Sequence, residues 1–293
     1  MAPLERGRLD PLRVRFWYSD KARERLLGEA FIAGVKKHGD EGDFRALGQE
    51  PTFDCDVACM VGVKSRDLYR AHTRAGVQVV YLDKGYDRHS RSDDIRGWEY
   101  WRVAVNGHQP TSKFRPDYPG DRLAMMGWKF KPWRAKGQHI VLAGSSAKYH
   151  NFYDLKEPTG WSTKLIKELN NYTTRPIHYR PKPSWKDAVP IDNTTWSGRE
   201  QGIMDALWNA HCLVTHGSNS CFEAMLEGIP SIILGEAVMK PISSTSLKEI
   251  ESPRLARDSE REAVLRFLAY SQWTMGEMND GLAWATIRKQ FFE

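Results

Sequence analysis

The segment Val214-Thr-His-Gly-Ser-Asn-Ser-Cys-Phe-Glu-Ala-Met-Leu-Glu-Gly-Ile-Pro-Ser-Ile-Ile233 decides the fold of the second half of the chain. Its two apolar runs, separated by a helical stretch, are typical of a parallel β–α–β unit. The small residues Gly217–Ser220 precede the helix, where unpaired N–H groups and the positive end of the helix dipole favour an anion. The segment therefore predicts a phosphate site, with His216 at the carboxyl end of a strand.

The same alternation of strands and helices extends through the whole chain. The strands that we expect lie at 13–18, 57–62, 77–82, 100–105, 140–143, 175–180, 212–215 and 229–234. The expected helices lie at 21–37, 65–75, 162–170, 201–210 and 220–227. This order predicts an α/β protein with two Rossmann-like domains, residues 1–134 and 135–258, facing across a cleft. The apolar helical segment 259–293 is expected to pack across their junction.

Composition limits the classes of function. The chain has 293 residues, of which 41% are hydrophobic and 27% charged, as in a folded globular protein. The sequence shows no run of 18 apolar residues and no apolar stretch near Met1, so a membrane span and a secretory signal are not expected. Four cysteines without paired C-x-x-C spacing predict a reducing, cytoplasmic setting and no structural zinc.

The positive charge is concentrated in one half of the chain. Residues 1–136 carry 26 Lys and Arg against 19 Asp and Glu, whereas residues 137–293 carry 17 against 18. A basic surface favours an anionic partner such as nucleic acid, an acidic glycan or a membrane surface. The alternative is a basic surface that only keeps the protein soluble.

The quoted segment resembles nucleotide-sugar glycosyltransferases of the two-Rossmann GT-B class, which carry a His-Gly-small-small turn, a Glu-Ala helix and Gly-x-Pro. The resemblance implies that Gly217, Ser218, Asn219 and Ser220 hold the donor diphosphate, that His216 aids phosphate binding and that Glu223 binds the ribose. The structural alternative is a tight turn followed by a helix whose Glu-Ala pair faces the core. The sequence has neither a G-x-G-x-x-G fingerprint nor a Walker P-loop, the commonest other phosphate loops.

Two further loops fit the same donor site. Ser145, Ser146 and Lys148 follow a predicted strand, where enzymes of this class often contact the departing phosphate. Arg180 and Lys182 follow the next strand and place two cations where a pyrophosphate gains charge in the transition state. The alternative for this pair is a solvated strand end.

A wider resemblance extends over most of the chain. The sequence resembles uncharacterised phage and bacterial proteins in Gly85-Tyr86, Arg180–Pro183, His216–Ala224 and Gln272-Trp273-Thr274. This resemblance supports the glycosyltransferase class and leaves the acceptor open.

The first half must supply the acceptor site and the base. Asp83 ends a predicted strand and is the best-placed carboxylate to take the proton of an acceptor hydroxyl, with Asp87 and His89 as alternatives. Phage base glucosyltransferases resemble this arrangement in having an Asp shortly after an aromatic-rich strand. The structural alternative is that Asp83 caps a turn or pairs with Lys84 or Arg88.

Residues 102–136 interleave cations with aromatic rings, a composition that suits a phosphate backbone with unstacked bases. The alternatives are a solvated face with packed aromatic rings, or a sugar acceptor stacked on the rings near residue 100. The predicted acceptor contacts are Tyr86, Arg88, Trp98, Tyr100, Trp101, Arg102, Lys113, Arg115, Trp128, Lys129, Lys131, Trp133 and Arg134.

These patterns favour a monomeric, metal-independent enzyme that moves a sugar from a nucleotide sugar, expected to be UDP-linked. The favoured acceptor is 5-hydroxymethylcytosine or 5-hydroxymethyluracil in phage DNA. The alternatives are a transferase acting on a bacterial capsule or cell-surface polysaccharide, and a non-catalytic GT-B-like module that binds nucleic acid.

Overall fold

The computed structural model of the chain describes residues 10–62, 65–86, 100–198 and 200–293. The chain divides into two compact units. Unit 1 comprises the residues up to His108 together with Ser271–Glu293, and unit 2 is the continuous segment Gln109–Tyr270.

Unit 1 is built on a six-stranded sheet with the order β2-β1-β3-β4-β5-β11. Strands β1 to β4 run parallel, and β5 and β11 are antiparallel to their neighbours. The strands are β1 Arg13–Tyr18, β2 Glu41–Ala46, β3 Val57–Val61, β4 Gln78–Lys84, β5 Tyr100–Val105 and β11 Gln272–Thr274. Every residue of β3 is buried, as expected of a continuous apolar run in the middle of a sheet.

The described residues of unit 1 form four helices. They are α1 Ala22–Lys37, α2 Arg66–Arg74, α9 Met275–Asn279 and α10 Leu282–Phe291. Helix α1 packs on α9 so closely that a Cβ at Gly34 would lie 2.0 Å from the carbonyl oxygen of Met278. The buried Trp284 of α10 donates to Asp40 Oδ2 at 2.6 Å, which ties the last helix to the turn between α1 and β2.

Unit 2 is built on a five-stranded parallel sheet with the order β10-β9-β6-β7-β8. The strands are β6 His139–Ala143, β7 Ile177–Arg180, β8 Thr195–Trp196, β9 Ala210–Thr215 and β10 Ser231–Ile233. The helices are α3 Asp121–Met126, α4 Ala147–Phe152, α5 Pro158–Leu169, α6 Ile203–Leu207, α7 Ser220–Leu226 and α8 Asp258–Ala269. Short 3-10 helices lie at Pro110–Lys113, Lys240–Ile242 and Leu247–Glu249. Ile140, Leu142, Val214 and Leu165 form part of the core beneath α5.

The observed division differs from the expected boundary at residues 134/135, because residues 109–134 belong to unit 2. The amide of Lys131 donates to Leu226 O at 2.8 Å, and that of Arg134 donates to Gly228 O at 2.7 Å. These backbone hydrogen bonds join the segment to α7 and the turn that follows it.

The segment 259–293 also differs from the single helical stretch that its composition predicts. Helix α8 lies in unit 2, whereas β11, α9 and α10 lie in unit 1. Trp273 is on a strand, because Gln272–Thr274 pair antiparallel with β5. Thr274 then caps α9 by accepting from the amide of Glu277 at 3.1 Å.

Candidate functional site

The loops predicted to bind the donor meet at one edge of the unit 2 sheet. In the strand register, Ala143 of β6 lies opposite Arg180 of β7 on one side and Thr215 of β9 on the other. The chain proceeds from β6 to β7 in one direction and places β9 and β10 in the other, so the strand order reverses between β6 and β9. Open α/β sheets bind ligands in the crevice at such a switch point, outside the carboxyl ends of the strands.

The turn after β9 is organised by a buried threonine. Thr215 Oγ1 donates to Ala143 O at 2.8 Å and accepts from the amide of Ser218 at 2.9 Å. Ser218 Oγ lies 2.9 Å from Ser220 Oγ and accepts from the amide of Ser220 at 3.3 Å. Two of the four amides of the turn are thus already paired, contrary to the expectation of unpaired N–H groups. The two hydroxyls and the amide of Gly217, which has no acceptor among the described residues, are groups that a phosphate can contact.

His216 is held in an aromatic environment. Its ring centroid lies 5.7 Å from that of Tyr149, 5.6 Å from that of Tyr153 and 6.0 Å from that of Trp161. Its Nδ1 lies 3.0 Å from the hydroxyl of Tyr149. Burial, together with the nearby His150, lowers the pKa of His216 to about 4, so the imidazole is neutral near pH 7.

Two glycines leave room for this histidine and tyrosine. A Cβ at Gly217 would lie 1.7 Å from the Tyr149 hydroxyl, and one at Gly235 would lie 2.1 Å from Cε1 of His216. A glycine at each position permits a close approach that a side chain would block.

The remaining donor candidates occupy the neighbouring loops. Arg180 is buried at the end of β7, and its Nη1 donates to Ser197 Oγ at 3.2 Å. Ser145 is buried directly after β6, and Ser146 caps α4. Lys148 and Lys182 are exposed. The predicted set is therefore assembled at one sheet edge, whereas its role in binding a nucleotide sugar stays a prediction.

Glu223 lies on α7, one turn beyond the turn 216–220. Both of its carboxylate oxygens are buried. A ribose would therefore reach these oxygens only after a local movement of the side chain or of its surroundings.

Asp83, the predicted base, is part of an ion pair in unit 1. Its Oδ2 lies 2.9 Å from Nη2 of the buried Arg102, and the same Nη2 lies 2.9 Å from His108 Nε2. Burial raises the pKa of Asp83, but the charge of Arg102 and the contact with His108 outweigh it and hold the pKa well below its usual range. A carboxylate with a lowered pKa is a weaker proton acceptor.

The other acceptor candidates of unit 1 have mixed positions. Tyr86 and Trp101 are buried, and Tyr100 is half-buried. The Arg102 guanidinium lies 5.7 Å from the Tyr86 ring centroid, and that of Arg23 lies 5.2 Å from the Trp101 ring. The predicted residues Asp87, Arg88, His89 and Trp98 lie outside the described residues.

The aromatic rings of the basic stretch pack within unit 2. The guanidinium of the fully buried Arg261 lies 3.9 Å from the Phe130 ring centroid and 4.0 Å from that of Trp133. Trp128 packs edge-on against Phe222 at 4.9 Å. This packing accounts for these rings without a nucleic-acid ligand.

Some cations of residues 102–136 bond to other groups of unit 2, and others are exposed. Arg134 Nη1 donates to Leu207 O at 3.2 Å, and Lys131 pairs with Glu227 at 2.5 Å. Lys113, Arg115 and Lys129 have exposed side chains.

Sequence reasoning missed several residues near the two sheet edges. Tyr149 and Gly235 contact His216 from distant parts of the chain. The only signals for them in the sequence are that Tyr149 is aromatic and that Gly235 is small. In unit 1 the strand order reverses between β1 and β3. Directly after β1, Ser19 Oγ donates to the buried carboxylate of Glu24 at 2.6 Å, a Ser-x₄-Glu spacing that the sequence displayed.

The described residues contain no group of three His, Cys, Asp or Glu side chains that could hold a metal ion. Every helix in the described part of the chain is too short or too polar to cross a lipid bilayer.

Comparison with protein-family models gave no match, and no curated protein matches the sequence significantly. Among solved structures, the chain is similar to the β-Kdo 2,7-transferase of KpsC from Thermosulfurimonas dismutans, with 12% identity and a TM-score of 0.55 over 93% of this chain and 99% of that chain. It is also similar to the β-Kdo 2,4-transferase of the same KpsC, with 12% identity and a TM-score of 0.53 over 89% and 92%. The prediction of a GT-B fold is confirmed: the chain has the mixed α/β fold of GT-B glycosyltransferase structures, with a largely parallel sheet in unit 1 and a parallel sheet in unit 2.

Proposed function

We propose that the protein is a glycosyltransferase that binds a nucleotide sugar at the carboxyl edge of the unit 2 sheet. One observation carries the proposal: the register of Ala143, Arg180 and Thr215 brings three loops with anion-binding groups to the switch point of a parallel sheet. The GT-B fold supports the same assignment by analogy.

The donor diphosphate would contact groups of three kinds. The hydroxyls of Ser218 and Ser220 and the amide of Gly217 can donate to phosphate oxygens, and Arg180 supplies a fixed positive charge. As the bond to the sugar breaks, the diphosphate leaving group gains negative charge, and donors already aimed at it stabilise the transition state. Lys182 lies two residues beyond Arg180 and can add a second, more mobile charge.

The nucleotide of the donor is also part of the proposal. We expect a UDP-sugar, with Glu223 on the ribose and no metal requirement, because Arg180 and Lys182 would supply positive charge in place of a divalent ion. We also expect a monomer that works in the cytoplasm, where it would meet its donor.

For the acceptor, we favour a saccharide over a DNA base. The two similar structures are named as Kdo transferases, enzymes that transfer a sugar. The DNA prediction depended on cations interleaved with aromatic rings, and Trp128 and Trp133 pack on other side chains of unit 2. A bacterial capsule or cell-surface polysaccharide is therefore the proposed acceptor class, and hydroxymethylated DNA is the alternative.

The base would come from unit 1, and two carboxylates are candidates. Asp83 is held by Arg102, whereas Glu24 lies beside the switch point of the unit 1 sheet and accepts from Ser19 at 2.6 Å. Glu24 is the better-placed candidate because open α/β sheets bind ligands at such a switch point, outside the carboxyl ends of the strands.

The decisive test has two steps. In the first step, saturation-transfer NMR with uridine, cytidine and guanosine diphosphates and cytidine monophosphate would identify the nucleobase of the donor. In the second step, the matching nucleotide sugars would be offered, with and without EDTA, together with two acceptors. These are a surface oligosaccharide panel and 5-hydroxymethylcytosine DNA. We expect nucleotide binding and transfer to saccharide; transfer to DNA alone would replace the acceptor proposal, and a failure of all four nucleotides to bind would contradict the donor site.

A further inference from the structure

We propose that Tyr149 is a positioning residue that holds the neutral His216 ring with its Nε2–H presented to the phosphates of the donor. The inference rests on the proposed function, and it assigns a role to a residue that lies 67 positions away in the sequence.

The hydrogen bond joins helix α4 to the turn after β9. The Tyr149 hydroxyl lies 3.0 Å from His216 Nδ1 and 3.4 Å from the carbonyl oxygen of Glu236. An O–H···O bond normally spans about 2.5–3.0 Å, so the contact with the carbonyl is weak. The phenol is also a stronger acid than a neutral imidazole N–H, and the imidazole nitrogen is the stronger acceptor.

The phenol therefore donates to Nδ1, and this direction fixes the tautomer. With Nδ1 occupied as an acceptor, the single ring proton of the neutral imidazole must reside on Nε2. Nε2 of His216 has no hydrogen-bond partner among the described residues, and the side chain is only partly buried. It can donate to a ligand in the crevice between β6 and β9.

The surroundings keep the ring neutral. His150 of α4 and Lys240, on the 3-10 helix after β10, disfavour a positive charge on His216, and Glu236 favours one. Glu236 is itself paired with Lys240 at 2.6 Å. Burial adds to the unfavourable side, so the ring acts as an oriented dipole with one N–H rather than as a cation.

Two glycines show independently that the local backbone is fitted to this pair. A Cβ at Gly217 would collide with the Tyr149 hydroxyl at 1.7 Å, and a Cβ at Gly235 would collide with the ring atoms of His216 at 2.1–2.5 Å. The two glycines belong to different loops, and each makes room for one partner of the hydrogen bond.

The test combines a spectroscopic and a binding measurement. Nitrogen-15 NMR of the imidazole reports directly which ring nitrogen carries the proton, in the full-length wild-type protein without any variant. We expect the proton on Nε2. In Tyr149→Phe, which keeps the ring but loses the hydroxyl, we expect a mixture of tautomers and a Kd for UDP about fivefold higher, the effect of one hydrogen bond.

The matched control is Tyr153→Phe, which removes the hydroxyl of the other tyrosine packed on His216 without removing the bond to Nδ1. It should change neither the tautomer nor the Kd. A proton on Nδ1 in the wild type, or an unchanged tautomer in Tyr149→Phe, overturns the inference. If UDP does not bind the wild type, the proposed donor site for UDP fails, whereas the NMR result still decides the role of Tyr149.

Discussion

Asp83 Oδ2 lies 2.9 Å from Nη2 of Arg102, whose side chain is only 3% exposed. The two residues face each other across the antiparallel pair β4 and β5. Removal of the carboxylate would leave the buried guanidinium without its counter-charge, so a loss of activity on changing Asp83 does not by itself identify a base.

We therefore predict that Asp83→Asn destabilises the protein. Arg102 is buried whereas Asp83 is partly exposed, and removing the carboxylate leaves the buried charge uncompensated. The free energy of unfolding should fall by about 3 kcal/mol. Urea denaturation monitored by tryptophan fluorescence would measure the change. An unchanged midpoint would show that the ion pair contributes little and would return Asp83 to consideration as a free base.

The paired prediction concerns Glu24. If Glu24 takes the proton of the acceptor hydroxyl, Glu24→Gln keeps the hydrogen bond from Ser19 and the shape of the side chain but removes the base. Turnover should fall by about 10²-fold or more while nucleotide affinity stays within twofold. Single-turnover transfer and nucleotide titration measure the two quantities separately. Normal turnover in this variant would exclude Glu24.

A third prediction tests the structural role of the basic stretch. Trp133 packs on the guanidinium of Arg261, and its Nε1 donates to Ala256 O at 2.7 Å. Trp133→Ala should lower the free energy of unfolding by about 3 kcal/mol through the loss of packing and of this bond. The exposed Lys129→Ala is the control and should change it by no more than about 0.5 kcal/mol. Equal stability of both variants would contradict the packing role.

A fourth prediction concerns pH. The folded-state pKa of His216 is lowered to about 4, below the ordinary value of about 6.5 for the unfolded chain. Between these values the unfolded chain binds a proton that the folded protein does not, so the contribution of His216 to stability falls as the pH drops from about 6.5 to 4. It is constant above pH 7.

NMR titration of the His216 ring measures this pKa directly, and His216→Gln should flatten the pH dependence of the unfolding free energy in the same window. A midpoint near 6.5 would show that neither burial nor the nearby His150 acts on the ring.

A fifth prediction uses the close approach at Gly217. Gly217→Ala would place a methyl group 1.7 Å from the Tyr149 hydroxyl, so the turn or α4 must move. Nucleotide affinity should fall at least about tenfold, which is 1.4 kcal/mol. Gly120→Ala is the control in the same unit, because its nearest neighbour, the flexible end of Arg266, lies 3.7 Å away. Equal affinities would show that the turn is not part of the donor site.

The sequence predicted the parts of the fold that local patterns encode. The buried strand Val57–Val61 and the turn Gly217–Ser220 were both visible as an apolar run and a small-residue cluster. The pairing of Asp83 with Arg102 could not be predicted, because it depends on the antiparallel pairing of β5 with β4. The alternation of strands and helices along the sequence does not reveal that pairing. The role of Trp133 likewise required knowledge of Arg261, a cation 128 residues further along the chain.

The same limit applies to the candidate site. The residues after β6, β7 and β9 could be proposed as a group, because parallel strands bring their carboxyl ends to one edge. Tyr149 could not be assigned a partner, since a hydrogen bond between a helix and a distant turn leaves no periodic signature in the sequence.

The order of the units along the chain has a consequence for biosynthesis. Unit 2 is one uninterrupted stretch, whereas unit 1 is completed by Ser271–Glu293, which supplies the edge strand β11 and the helix that carries Trp284. A ribosome synthesises Ser271–Glu293 after all of unit 2, so unit 2 can fold before unit 1 receives this segment. Until that segment is made, nascent unit 1 exposes the surface around Asp40 and Phe31 that Trp284 covers in the folded protein.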